Sequence, residues 1–311
     1  MNYIFYEKIY TKDDMYFYNK KAIPDCLAIN SYLKYKNDDD YLNKLYETMP
    51  SKEIKEIKNI YLFIFNRGVK SGGNFYHFIY HYLQKLLGYF ELKDISIGIP
   101  VNMLPFQKDI LYKLIHNKVI PLDIYRYNYK ITNCYVGKYL SASILPNLLF
   151  KKYQSLYRNN LFTKNENVIC ILRKKTNNAG KNRLMKNQED FENYLQEFKT
   201  KFFYFEDYNF DEKVKNFLNL NPKIVIIEVG SGLANLLFIN KNLLRNIKFI
   251  IIDQDEWNVD KSRISQIFKL LDINYEIFRC KTIYKNYEND SKNNPFTIDI
   301  NEFHQKYNNL F

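Results

Sequence analysis

The 311-residue chain has no apolar run long enough to cross a bilayer; the longest, such as Ile60 to Phe65, are the length of a strand. Residues 1–20 carry Glu7, Lys8, Lys12, Asp13 and Asp14 without an apolar core, so they do not read as a signal peptide. The expected location is therefore the cytoplasm. Cysteine is scarce. Cys26, Cys134, Cys170 and Cys280 stand far apart with no CxxC pair, which argues against both disulfides and a zinc site. Acidic residues fall short of basic ones, 34 against 46, for a net charge of +12. The lysines are scattered along a chain rich in Tyr, Phe and Asn, the composition of an AT-rich coding sequence. They build no focused patch, so specific nucleic-acid binding is not expected.

What is present is ample material for burial, 46% hydrophobic residues, in a chain long enough for two domains. In the second half, apolar strand runs at 167–172, 201–205, 223–228, 248–252 and 274–279 alternate with one-sided helical patterns. Phe191, Tyr194, Leu195 and Phe198 form one such pattern, and Ile264, Ile267, Phe268 and Leu271 another. This predicts a parallel sheet covered by helices. The first half repeats the pattern less regularly, with strands at 60–65 and 95–99, helices at 74–88 and 104–116, and apolar runs at 119–125 and 131–136. The fold class is read as α/β, with two Rossmann-like domains facing a cleft. The domains are 1–155, 156–285 and a tail, 286–311, whose helix packs back onto the first domain. Residues 9–55 give no clear pattern.

The densest signal is Ile224 to Phe238, where a buried strand runs through Gly230, Ser231 and Gly232 into a helix. Glycines allow a tight turn there, and the N–H groups of the next helix can face an anion, so this reads as a phosphate seat at the carboxyl end of a central strand. A plain βα turn would show the same short motif. Farther upstream, the stripe Phe75, Phe78, Ile79, Tyr82, Leu83 and Leu86 leaves Asn74, His77, His81 and Lys85 on the opposite helix face, just after Gly72-Gly73. Phe78 stands where HExxH needs its glutamate, so a metalloprotease is excluded. Arg173 directly follows the strand Val168 to Leu172 and, with Arg183 and Asn187, is suited to neutralising a diphosphate, although an exposed basic loop would look alike. Asp253 and Asp255 form a DxD that can hold Mn²⁺, a ribose hydroxyl or the fold itself; ribose or structure is the preferred reading, and no metal is assigned.

Taken in order, three of these segments resemble glycosyltransferase family 61. Asn74 to His81 is similar to the family's N-x-x-H-W segment with an acidic residue four after the histidine. Ile171-Leu172-Arg173 with Arg183 to Gln188 resembles a strand ending in arginine followed by R-x-I-x-N-E. Glu228 to Phe238 resembles G-H-G-A-x-L-x-N-x-x-F. The likeness spans roughly 60–280. Two of the departures from it bear on the chemistry: Val229 replaces the histidine before the glycine, and His81 replaces the acidic residue. The resemblance implies a two-domain GT-B enzyme that moves a sugar, with inversion, from a nucleotide-sugar donor, most simply a UDP-sugar, to a hydroxyl of a glycan or glycoprotein acceptor. It implies base or acceptor-orienting work for His81 and His77, with Asn74 beside them. Diphosphate binding falls to Arg173, Arg183, Asn187, Gly230, Ser231, Gly232 and Asn235, and Asp253 completes the donor side. No cofactor is called for. The rival readings are an S-adenosylmethionine-dependent methyltransferase, from Glu228-Val229-Gly230-Ser231-Gly232, a metal-dependent transferase built on Asp253 and Asp255, and a degenerate binding protein of transferase descent.

Overall fold

A computed structural model describes residues 2–12, 15–18, 21–22, 52–63, 75–101, 103–124, 126–138, 145–157, 166–174, 185–254, 263–283 and 295–311. The class is mixed α/β. The chain divides into two compact units, Met1–Lys152 and Tyr153–Phe311.

In the first unit, strands β1 (Tyr3–Lys12), β2 (Met15–Tyr18), β3 (Lys21–Ala22), β4 (Ile54–Leu62), β5 (Ser96–Pro100), β6 (Val119–Leu122) and β7 (Asn128–Gly137) form one sheet in the order β3-β2-β1-β7-β4-β5-β6. The four strands β7, β4, β5 and β6 are parallel, and β1 to β3 extend the sheet as an antiparallel meander. This corrects the Rossmann-like expectation for the first half, because residues 3–22, for which no strands were expected, supply three strands of a mixed sheet.

The period-2 signal fails in these strands for a physical reason. Asn59 in β4 and Asn133 in β7 both adopt left-handed backbone (φ 55° and 52°), and their amides pair at 2.9 Å. Asparagine tolerates this conformation better than most residues. Each kink shifts the alternation by one, so Tyr129 and Ile131 before Asn133 and Cys134 and Val136 after it all reach one core, with Ile9, Ile60, Leu62 and Leu122. A strand that faces the core at 129, 131, 134 and 136 does not alternate on paper.

The other face of this sheet is covered by a helical segment, α1 (75–91), and by α2 (Pro105–Leu114), which opens on Pro105 with Gln107 accepting the Leu104 N–H at 2.8 Å. α1 is not one regular helix. Phe75–His77 is α, Phe78–Tyr82 is a π turn closed by Leu83 N–H to Phe78 O, Leu83–Leu86 is 3₁₀, and Leu87–Glu91 is α again. Widening and then tightening the turns rotates successive faces out of the 100° register. The expected polar face is therefore broken: Lys85 is buried, as are Tyr80 and Gln84, and the Tyr61 hydroxyl donates to the Lys85 carbonyl.

Helix α3 (Asn147–Ser155) contains the division between the units. The second unit holds β8 (Val168–Ile171), α4 (Gln188–Gln196), β9 (Lys201–Phe202), α5 (Phe210–Leu220), β10 (Ile224–Glu228), a 3₁₀ helix (Ser231–Phe238), α6 (Lys241–Leu244), β11 (Lys248–Gln254), α7 (Arg263–Leu271), β12 (Asn274–Thr282), β13 (Phe296–Thr297) and α8 (Ile300–Tyr307). The sheet order is β13-β12-β11-β10-β8-β9, parallel except for β13. In chain order the parallel strands run 2-1-3-4-5, the doubly wound arrangement. Continuous apolar runs such as Val168 to Ile171 and Ile224 to Ile227 are buried on both faces, as such strands require.

Caps mark the boundaries. Asn209 and Glu212 form a reciprocal box at the start of α5 (3.0 and 3.2 Å), and left-handed Asn221 followed by Pro222 ends it. The closing helix α8, expected on the first domain, belongs to the second unit's own core. Phe303 packs on Phe191 and Phe278 with ring centroids 5.0 and 5.1 Å apart. Gln154, near the end of α3, donates to the carbonyls of Leu237 (2.8 Å) and Ile239 (2.6 Å) and accepts from Lys241 N–H (2.7 Å), pinning the far end of the 3₁₀ helix.

A methyl group at Gly137 would overlap both the Lys85 carbonyl and the Tyr61 hydroxyl. Gly137→Ala is expected to lower unfolding free energy by about 1–3 kcal/mol. An unchanged urea midpoint would show that the α1 packing on β7 is looser than described.

Candidate functional site

In a 2-1-3-4-5 sheet the chain reverses direction of growth between strands 1 and 3, and the crevice outside their carboxyl ends is where such folds take ligands. Here those strands are β8 and β10. β8 delivers Arg173 two residues past its end, and β10 ends on Glu228, with Val229 and Gly230 next. The structure therefore brings together Arg173 and the glycine turn, which sequence reading had placed in separate motifs.

Arg173 is tightly held. Its backbone N–H donates to Glu228 Oε2 (3.3 Å) and its Nη2 to the Val229 carbonyl (3.3 Å), while Nε lies 3.4 Å from Glu228 Oε1 as a charge contact. Its own carbonyl accepts from Gln188 Nε2 at 3.3 Å. Gln188 also donates to Glu192 (2.6 Å), which accepts from the Tyr204 hydroxyl (2.9 Å). Burial, then Glu192, push the Tyr204 phenol well above its ordinary range, so it remains the donor. The Glu228 side chain is 3% exposed and that of Arg173 28%, so the carboxylate lies beneath and the guanidinium reaches solvent. Burial raises the thiol of neighbouring Cys170 as well, with Glu192 and Glu228 adding to it, which leaves no reactive thiolate here.

The glycines act differently from expectation. Gly230 has extended backbone (φ 168°), and no described glycine lies in the left-handed region. What matters at Gly230 is the missing Cβ, because a methyl group there would occupy the position of the Arg173 guanidinium. At Gly232 the neighbour is the Phe205 ring, 3.1 Å from where a Cβ would lie. The segment beyond is 3₁₀, not α, with Leu233 N–H bonded to Gly230 O at 3.1 Å. Asn235 supports that geometry by donating back to Gly232 O (2.8 Å), and its Oδ1, buried, has no hydrogen-bond partner among the described residues.

Other predicted residues are placed as follows. Asn187 spends its amide on the backbone of Ile298, donating to O (2.8 Å) and accepting from N–H (3.1 Å), which ties α4 to the segment before α8. Asp253 is fully buried, bound by Arg279 Nη1 (2.5 Å) from the facing position of β12 and by Gln254 N–H (2.9 Å). Both side chains therefore brace the fold, which for Asp253 is the structural role the sequence left open beside a ribose contact. His77 is half-buried beside the Tyr76 ring in the first unit, at the start of the π turn that contains His81. The side chains of His81 and Ser231 and residues Asn74, Arg183 and Asp255 lie outside the described residues. Among the described residues no three His, Cys, Asp or Glu side chains gather as metal ligands would, and no helix is long and apolar enough to cross a membrane.

Sequence reading missed Glu228, Gln188, Glu192 and Arg279. Glu228 carried a local signal, as a carboxylate closing an otherwise apolar strand, and Gln188 stands at the last position of the R-x-I-x-N-E segment. A cavity of about 540 Å³ lies at the amino edge of the same sheet, lined by Glu166, Asn167, Lys223 and Asn246. It is the wrong end of the strands for a ligand in this fold.

The family model for Glycosyltransferase 61 matches residues 75–247. That is more than half of the chain, and it includes α1, β8 with Arg173, and the whole glycine segment. The chain belongs to glycosyltransferase family 61. It is accordingly a glycosyltransferase, acting between a sugar donor and an acceptor. The match begins just after Asn74 and stops before Asp253, so the bracing pair Asp253–Arg279 lies beyond the family segment. No curated protein matches the chain. Where the family motif has a histidine, Val229 is fully buried and contributes only its carbonyl to Arg173.

Gly230→Ala is expected to push the Arg173 guanidinium off Glu228 and the Val229 carbonyl, lowering stability in the native background and costing close to nothing once Arg173→Ala has removed the clashing group. Equal costs in both backgrounds, read from denaturant unfolding, would contradict the stated role of this glycine.

Proposed function

We propose that the chain is a metal-independent, inverting transferase of the GT-B class that moves a sugar from a nucleoside diphosphate donor, a UDP-sugar in the simplest case, to a glycan or protein hydroxyl. The observation that carries the reading is the Arg173 guanidinium held across the ends of β8 and β10, at the switch point of a doubly wound sheet. A guanidinium offers a planar fork suited to two phosphoryl oxygens as negative charge grows on the departing diphosphate. Arg183, the backbone at Gly230, Ser231 and Gly232, and the acceptor atom of Asn235 complete the donor side. The second unit thus takes the donor. The first unit takes the acceptor, whose hydroxyl loses its proton to His81 or His77 as it attacks the anomeric carbon; a histidine titrates close enough to neutrality for that work.

Melting of the purified chain against UDP, GDP, CMP, dTDP and S-adenosylmethionine, each with EDTA and with Mn²⁺, tests the donor half. One nucleotide is expected to stabilise the fold under EDTA, by about 2.7 kcal/mol at 100 times its dissociation constant. Arg173→Ala should remove that shift. Stabilisation confined to Mn²⁺ would move the chemistry to the aspartates, and a response to S-adenosylmethionine alone would replace glycosyl transfer. Once a donor is found, His81→Ala or His77→Ala should slow transfer by about 10²–10⁴-fold. Full turnover in both variants would remove the histidines from the mechanism.

A further inference from the structure

We propose that Glu228 is a positioning residue whose task is to hold the Arg173 guanidinium in its donor-binding pose; the inference rests on the donor site described above. An arginine that follows a strand end at a ligand crevice has many rotamers, and affinity is lost in fixing one of them when the ligand arrives. In this chain the fixing is done beforehand. Glu228 holds both ends of the residue, backbone N–H on Oε2 and Nε against Oε1. The Val229 carbonyl takes one Nη2 proton, and Gly230 leaves the space into which the guanidinium lies. From the other side, Gln188 fixes the Arg173 carbonyl and is itself anchored on Glu192. Among the described residues no contact engages Nη1, so the outward edge of the fork remains for an anion.

The arrangement also sets the local charge. Glu228 cancels the charge of Arg173, so discrimination for a diphosphate comes from aimed N–H groups rather than from excess positive potential. A carboxylate that only weakened anion binding would give tighter binding when removed. A carboxylate that aims the arginine gives weaker binding.

Isothermal titration of the full chain with UDP, GDP and inorganic pyrophosphate, in wild type and variants, separates these cases. Glu228→Gln, nearly isosteric, sets an amide donor against a guanidinium donor or forfeits the backbone contact, and should weaken binding roughly fivefold. Glu228→Ala should weaken it further, by about tenfold or more, if it folds. In an Arg173→Ala background neither substitution should weaken the remaining affinity further, because the group they aim is gone and only an opposing charge is removed. Wild-type or tighter affinity in Glu228→Gln overturns the proposal, as does any additional loss in the Arg173→Ala background. If the wild-type chain binds none of the three ligands, the donor site itself is wrong and this inference falls with it. If wild type binds and Arg173→Ala weakens it while Glu228→Gln does not, the donor site stands and only the positioning role is lost.

Discussion

The contact between Arg173 and the end of β10 organises the second unit. It joins the two strands between which the sheet changes its direction of growth, and several features of the neighbourhood depend on it. Gly230 lacks a side chain because the guanidinium lies there. Glu228 is tolerated as a buried carboxylate because the same residue answers it twice. A buried pair of this kind adds little net stability, since desolvation offsets much of its Coulomb gain, but removing one partner leaves an uncompensated charge. Such a pair is better understood as fixing geometry at the proposed donor site than as holding the fold together.

The first unit depends on a different constraint. Two left-handed asparagines, paired side by side, keep the core face continuous through kinked strands, and a helical segment of mixed pitch seals the opposite face. The π turn falls on the segment that carries His77 and His81. Such turns are commonly found at functional sites, where an interrupted ladder re-aims side chains. Here a regular helix would have kept Lys85 on the histidine face, whereas the mixed pitch buries it.

Local sequence carried the elements whose signal is local. The apolar run entering Gly230, the one-sided pattern of α4 and α7, and the strand before Arg173 were all legible because burial on a sheet writes itself into consecutive residues. What failed was set by partners distant in the chain. The strand order β9-β8-β10 that joins Arg173 to Gly230 depends on pairing that no window contains. Asn187 groups with the arginines, and Asp253 stays between ribose and structure, because their partners, Ile298 and Arg279, lie far along the chain. The glycines suggested a turn requirement because the arginine that needs the space lies on another strand. In β4 and β7, the alternation was broken by Asn59 and Asn133 themselves.

The most direct measurement is a crystal structure with a nucleoside diphosphate bound. The account predicts phosphoryl oxygens within hydrogen-bond distance of the outward edge of Arg173 and of the backbone N–H groups beyond Gly230, with the Glu228 contacts retained. A diphosphate bound at the opposite edge, among Lys223, Asn167 and Asn246, or one that pulls Arg173 away from Glu228, would contradict it.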